Sequence, residues 1–338
     1  MFKRYFAGGN TLEGFVDLFS SNLQGIEKIF ILKGGPGTGK STLIKKAAKV
    51  CEKENIDAEI IHCSSDPDSL DAIIIPTLSV AIVDGTSPHV IEPTAPGAIE
   101  EYVNLGKAWD SEILKANKDT ILNIKEQIRE SFKNAYNCFY EAGKIHEEWQ
   151  KYYTRNAKFS KANQITANLI NSIFKDTYMD KPSFIKYRFS FANTPNGIVD
   201  YIDTIINTVS KRYYLKGRVG NGKSTLLSKL FENAQDRGID MEVYYNGFNK
   251  NKIHMLLFPE LDVCIFDCTI PKEFDVITSE DEIIDLYKEC IKPNTETRYS
   301  REIQGVCAQY NIIFNKGIKH LENAKSLHGE LETIYVNS

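Results

Sequence analysis

The chain contains no apolar run long enough to cross a bilayer. Its longest apolar stretches, 72–76 and 79–83, are strand-sized, against the roughly 20 residues that a membrane-spanning helix needs. The opening residues, MFKRYFAGGNT, are basic but lack an apolar core segment, so no secretory leader is expected. An excess of one charge is also missing. Lys and Arg number 41 and Asp and Glu 45, a formal net charge of −4, which leaves no global electrostatic footprint for a nucleic acid. The seven cysteines (51, 63, 138, 264, 268, 290 and 307) are an odd number without metal-type C-x-x-C spacing. They read as reduced thiols of a cytoplasmic protein. From 111 to 156 there is no proline and a single glycine, Gly143, so that stretch predicts one or two long helices. The remainder is ordinary for a water-soluble chain, with 42% apolar and 25% charged residues. Its 338 residues suffice for two modest cores.

Two cores are what an internal repeat implies. Shifted by 183 residues, the sequence matches itself without a gap from 6 to 88, and 27 of those 83 positions are identical. Phe6 falls on Phe189, Asn10 on Asn193, Gly14 on Gly197, Glu59 on Glu242, Pro76 on Pro259 and Asp84 on Asp267. A weaker echo follows at an offset of 182, where Phe132 matches Phe314, His146 matches His328 and Tyr153 matches Tyr335. Ala142, His146, Trp149 and Tyr153 share one helical face. The expected organisation is a first domain over 1–180 with a long helical insert at about 107–177. A second domain over 181–338 would carry a shorter C-terminal helical appendage at about 297–336. MDKPS, 179–183, reads as the linker.

Within each repeat a buried strand, KIFILKG (28–34) or KRYYLKG (211–217), runs into a glycine loop and then a helix. A second strand follows at 58–64 or 241–247, and a third at 79–84 or 262–267. This order predicts an α/β fold with parallel sheets. Asn10 or Thr11 is expected to N-cap a helix running to about Leu23.

The glycine loops carry the chemistry. GGPGTGKST (34–42) and GRVGNGKST (217–225) place glycines where backbone N–H groups must approach phosphates, a lysine for the β- and γ-phosphates and a hydroxyl for Mg²⁺. The first nucleotide-binding set is Gly34, Gly35, Pro36, Gly37, Thr38, Gly39, Lys40, Ser41 and Thr42. The second is Gly217, Gly220, Asn221, Gly222, Lys223, Ser224 and Thr225. Asp84 and Asp267 each lie 44 residues beyond the loop lysine and end an apolar tetrad, VAIV or VCIF. Each is expected to help Ser41 or Ser224 hold Mg²⁺.

On these motifs the chain resembles the P-loop NTPase superfamily over 28–89 and 211–272, and as a whole resembles bacterial tandem P-loop ATPase-like proteins. The resemblance implies two tandemly duplicated P-loop domains that bind ATP and Mg²⁺. Gly85 and Cys268 stand where many motors of that superfamily carry a water-activating glutamate after the strand-end acid. No guanine-reading Asn-Lys-x-Asp and no ABC signature is present, so ATP is expected over GTP. DGTSP (84–88) is similar to the Asp-Gly-x-Pro turn of nucleoside-monophosphate kinases, with one extra residue.

The halves differ beside the loops. HCSSDPDSLD (62–71) and His89 have no chemical equivalents in YNGFNKNKIH (245–254) and Lys272. The first repeat is therefore the expected catalytic one, with Lys40, Asp84, Asp66 or Asp68 as base, and His89 near the phosphates. The other reading of the acids is a solvated turn capping a helix that starts near Ser69. The second repeat, with Arg218, Lys250 and Lys252, is expected to regulate. Arg155, Arg298 and Arg301 are candidate fingers acting on the opposite loop. The appendages suit a lid or a surface for a protein partner. The leading expectation is a Mg²⁺-dependent ATPase. The alternatives are a kinase acting on a small acceptor and a nucleotide-sensing switch.

Overall fold

The structure, a computed structural model, describes residues 2–338. In the first half the elements are β1 (Phe2–Phe6), β2 (Gly8–Thr11), β3 (Gly14–Asp17), α1 (Phe19–Asn22), β4 (Lys28–Lys33), α2 (Lys40–Lys53), β5 (Ala58–His62), β6 (Leu70–Ile75), β7 (Val80–Asp84) and β8 (Glu100–Asn104). Helices α3 (Ser111–Ala116), α4 (Lys118–Thr154) and α5 (Phe159–Phe174) follow. The second half repeats the order with β9 (Ile185–Phe189), β10 (Phe191–Thr194), β11 (Gly197–Asp200), α6 (Ile202–Ile206), β12 (Lys211–Lys216), α7 (Lys223–Asp236), β13 (Met241–Tyr245), β14 (Ile253–Phe258), β15 (Val263–Asp267) and β16 (Glu282–Asp285). It closes with α8 (Leu286–Cys290), α9 (Thr295–Arg298) and α10 (Ser300–Val336).

One mixed sheet of 12 strands runs through both halves in the order β16-β12-β15-β14-β13-β9-β1-β5-β6-β7-β4-β8. The order reads the same outwards from its centre, where β1 and β9 pair antiparallel with Phe6 opposite Phe189. Residues 183 apart therefore face one another, the signature of a self-complementary two-fold contact. Asn10 and Asn193 repeat the relation, each amide donating to the other's carbonyl at 3.0 and 2.8 Å. Beside this axis Arg188 is fully buried. Its guanidinium meets Glu59 at 2.7 Å and Glu242 at 3.0 Å, donates to Asn22 at 2.9 Å and lies 4.1 Å over the Tyr5 ring.

Two local expectations are corrected. The sheet is not purely parallel, because β6 and β14 run antiparallel to both neighbours. A parallel return needs a crossover of a dozen residues or more. Only the turn 63–69 separates β5 from β6, so the chain doubles back and no helix starts at Ser69. Likewise 10–23 is a β-hairpin followed by one helical turn. Gly14, at φ 101°, supplies the left-handed turn residue that stops a helix, and Asn10 and Thr11 are buried at the two-fold axis instead of capping.

The core on one face of the sheet joins both halves, with Tyr5, Phe19, Ile31 and Val83 packed in the same cluster as Ile202, Tyr214, Tyr244 and Phe266. Helix α5 packs on the second half's α7 and α8. The segment 179–183 is pinned there as well, through Met179 N–H to Arg237 O and Lys181 to Asp240 and Glu260, each at 2.7 Å. All seven cysteines are unpaired. Among the described residues no helix is long and apolar enough to cross a membrane.

Helices α4 and α10 are equal in length, 37 residues each, and related by the 182 offset. They pack on each other rather than folding back as two hairpins. Ile121 and Ile124 meet Leu331, Ser131 meets Asn323, Phe139 meets Phe314 and His146 meets Tyr310, so the helices run antiparallel. Ala135, Phe139, Ala142, Phe314, Ile318 and Leu321 bury the seam. At roughly 1.5–3 kcal/mol per large apolar side chain, this seam holds the pair together as a structural element.

Candidate functional site

Both glycine loops join a sheet strand to the first turn of a 14-residue helix, β4 to α2 and β12 to α7. Gly39 and Gly222 are the helix N-caps, at φ 83° and 91°, and Gly37 and Gly220 have φ of 73° and 77°. These left-handed values favour glycine and curl the backbone of 34–39 and 217–222 around the start of each helix. In the first loop Lys40 Nζ donates to Gly34 O at 2.8 Å and Gly35 O at 2.9 Å, and Thr38 Oγ1 donates to Gly35 O at 2.9 Å. In the second, Lys223 Nζ donates to Gly217 O at 2.6 Å and to Arg218 O and Thr269 Oγ1 at 3.3 Å.

The neighbouring parallel strand brings an acid to each lysine. Asp84 stands opposite Leu32, and Asp267 opposite Leu215. Asp84 Oδ2 lies 3.7 Å from Lys40 Nζ, and Asp267 Oδ2 3.3 Å from Lys223 Nζ. The other oxygen of each carboxylate is fixed in the same way, by the N–H and hydroxyl of Thr86 in the first half and Thr269 in the second. Ser41 Oγ accepts from Leu70 N–H at 2.9 Å, which ties the start of α2 to β6. Ser224 occupies the matching place on α7. Pro36 lies in the first loop, and Thr42 and Thr225 are exposed on the first helical turns. Asn221 is buried in the second loop.

Among the described residues no group of three or more His, Cys, Asp or Glu is arranged to hold a metal. Mg²⁺ in a nucleotide site takes only one or two protein ligands beside phosphates and waters. A serine hydroxyl with a strand-end carboxylate, present at both loops, fits that requirement.

The other predicted residues of the first half lie outside the loop. Asp66 is 2.7 Å and Asp68 3.8 Å from Lys325 of α10, and Ser69 Oγ donates to Asp66 at 2.6 Å. Burial alone would raise the Asp66 pKa, but the hydrogen bonds from Lys325 and Ser69 outweigh it and the net shift is downward. The acidic turn thus clamps the second half's long helix, and Lys40 has Asp84 as its ion-pair partner. His89 is buried against Phe19 and 3.3 Å from Asp71. Burial opposes its charge, yet the facing Asp71 carboxylate wins and lifts the His89 pKa to about 9. His89 therefore fastens the segment after β7 to β6. Of the candidate fingers, Arg155 is the C-cap of α4 and Arg298 lies 5.3 Å over the Tyr299 ring. The arginine engaged at the second loop is that loop's own Arg218, 2.7 Å from Glu296.

The long helices bring residues that sequence reasoning passed over. The C-terminal end of α10 lies on the first loop. A Cβ on Gly37 would stand 2.6 Å from Val336 Cγ2 and 3.1 Å from Glu332 Cγ, and one on Gly35 would stand 3.3 Å from the Tyr335 ring. Reciprocally, the end of α4 lies on the second loop. A Cβ on Gly220 would stand 2.8 Å from Gln150 O and from Thr154 Oγ1, and the Thr154 hydroxyl donates to Gly220 O at 3.3 Å. Each half's appendage therefore closes the other half's loop. The repeated histidines follow the same exchange. His146 is pushed down to about 4 by burial and by the charges of Lys252 and Lys223. The His328 pKa is lowered by partial desolvation and by Lys40. A cavity of about 100 Å³ beside the second loop is walled by Asn163 and Thr166 of α5 and by Asn221, Gly222 and Thr225.

No protein-family model, no curated protein and no solved structure matches the chain.

Proposed function

We infer that the protein is a tandem P-loop ATPase, which binds Mg²⁺-ATP at both glycine loops, hydrolyses it at the first and uses the second as a regulatory site. One observation carries the reading. A strand, a left-handed glycine loop and a helix place a lysine beside a strand-end aspartate, at 3.7 Å and again at 3.3 Å. The loop N–H groups and the positive end of α2 or α7 suit an anion. Lys40 and Lys223 would turn from the loop carbonyls to the β- and γ-phosphates. Ser41 with Asp84, and Ser224 with Asp267, would hold the metal, which supplies charge neutralisation at the phosphates. Because the ends of α4 and α10 rest on the loops, a phosphate group entering either loop presses on the paired helices, and this links the nucleotide state to their position.

Equilibrium binding of labelled ATP with Mg²⁺, combined with γ-phosphate release, tests the reading. The expected result is two nucleotides per chain. Lys40→Ala and Lys223→Ala should each lose one of them, and only Lys40→Ala should lose turnover. A chain that binds no ATP, or both variants binding as the parent does, contradicts it. Transfer of label to an added nucleoside or nucleotide would instead identify a kinase, and tight binding without turnover a switch.

A further inference from the structure

The two loops are closed by the same positions of two equivalent helices, so differences between those positions become differences between the sites. Along α10 the face at the first loop carries Lys325, His328, Glu332, Tyr335 and Val336. The matching residues of α4, 182 earlier, are Gly143, His146, Gln150, Tyr153 and Thr154. The histidine and tyrosine are kept. At the position that touches the loop glycine itself, a carboxylate at the first loop is replaced by an amide at the second. Glu332 Cγ lies 3.1 Å from the Cβ position of Gly37, and Gln150 Cβ 3.2 Å from that of Gly220.

The carboxylates around the first loop are otherwise committed. Asp84 faces Lys40, and Asp66 and Asp68 face Lys325. Glu332 is exposed and forms no ion pair among the described residues. The residue after Asp84 is Gly85, so the strand supplies no base of its own. At the second loop the Gln150 amide donates to His146 Nδ1 at 2.7 Å, and an amide cannot take a proton from water.

We propose that Glu332, delivered by the second half's helix to the first half's loop, is the general base of ATP hydrolysis, and that Gln150 at the matching place leaves the second loop as a holding site. The proposal rests on the reading of the loops as ATP sites. In the step, a water oxygen bonds to the γ-phosphorus while the bond from that phosphorus to the β–γ bridging oxygen breaks. The bond's electron pair leaves with ADP, the water proton passes to the Glu332 carboxylate, and inorganic phosphate forms. His328 lies one turn away on the same helix; burial and Lys40 disfavour its cation against the opposing pull of Glu332 and Asp66, and its pKa is lowered.

The test is single-turnover release of γ-phosphate, read beside fluorescent-ATP binding, for the parent chain, Glu332→Gln and Glu332→Asp. Glu332→Gln should keep two bound nucleotides and lose release by about 10²- to 10⁴-fold, the usual worth of a positioned base. Glu332→Asp should keep part of the rate. If the parent binds and hydrolyses ATP and Glu332→Gln is as fast, the assignment of Glu332 is overturned while the ATP reading stands. If the parent binds no ATP, both are overturned.

Discussion

The first and second loops share a lysine, an acid and a helix start, and differ in what the opposite half lays over them. Over the first lie a glutamate, a lysine clamped by Asp66 and a histidine beside Lys40. Over the second lie a glutamine bonded to a histidine and a threonine bonded to the loop backbone. The second loop also borders the α5-walled cavity. A duplicated frame is thus made asymmetric by a few side chains on helices that belong to the other copy. The lesson is that the function of either loop cannot be read from its own half.

The sharpest way to break this comparison is to exchange the two covering residues. In Glu332→Gln with Gln150→Glu, hydrolysis should move to the second loop. Phosphate release should then be lost in Lys223→Ala and kept in Lys40→Ala, the reverse of the parent. The halves differ next at the two-fold axis, where Arg188 of the second half corresponds to Tyr5 of the first. Arg188→Met takes the guanidinium from Glu59 and Glu242, two buried carboxylates that then rely on Lys3, and should destabilise the chain by up to about 3–5 kcal/mol in urea unfolding. Adding Glu59→Gln and Glu242→Gln should return most of that.

A pH series sharpens the contrast between His89 and its counterpart Lys272. The folded His89 pKa, about 9, lies above the ordinary 6.5. Its contribution is therefore complete below pH 6.5 and is lost as pH rises through 9. Stability should fall by about 2–3 kcal/mol over that window and be flat in Asp71→Asn, whereas Lys272, half-exposed beside Asp200 and Asp203, should contribute no such slope. At the acid end the signs reverse. Burial opposes the charge of Glu242, but Arg188 and Lys3 outweigh it and lower its pKa to about 2, so that stability present above about pH 4.3 should disappear as pH falls through 2. The smallest effect belongs to Lys325→Ala. Its bridge to Asp66 is about one-third exposed on both sides, and its loss should cost under about 1 kcal/mol.

Much of the frame was legible in the residues. The 183 offset, the two glycine loops, Asp84 and Asp267 and the long helix from 118 to 154 are all local patterns. The hairpins at 8–17 and 191–200 were hidden because Asn and Thr serve equally as helix caps and as strand residues, and the two-fold axis that buries them is a long-range fact. The antiparallel β6 was legible in principle from the short turn 63–69, which leaves no room for a crossover helix. What periodicity could not show was that α4 and α10 cover each other's loops. A repeat offset states that two segments are alike and is silent on which copy each one touches. The His146–His328 match signalled a common role, and the Glu332–Gln150 difference four residues on became informative only when both were seen against Gly37 and Gly220.

The central claim, that one loop turns ATP over while the other holds it, is tested most directly by the nucleotide that stays on the protein. The chain is incubated with Mg²⁺-ATP, separated rapidly from free nucleotide, and its bound nucleotide chromatographed. One retained ATP per chain, absent from Lys223→Ala and present in Lys40→Ala, is the predicted result. ADP alone, on both loops, would contradict it.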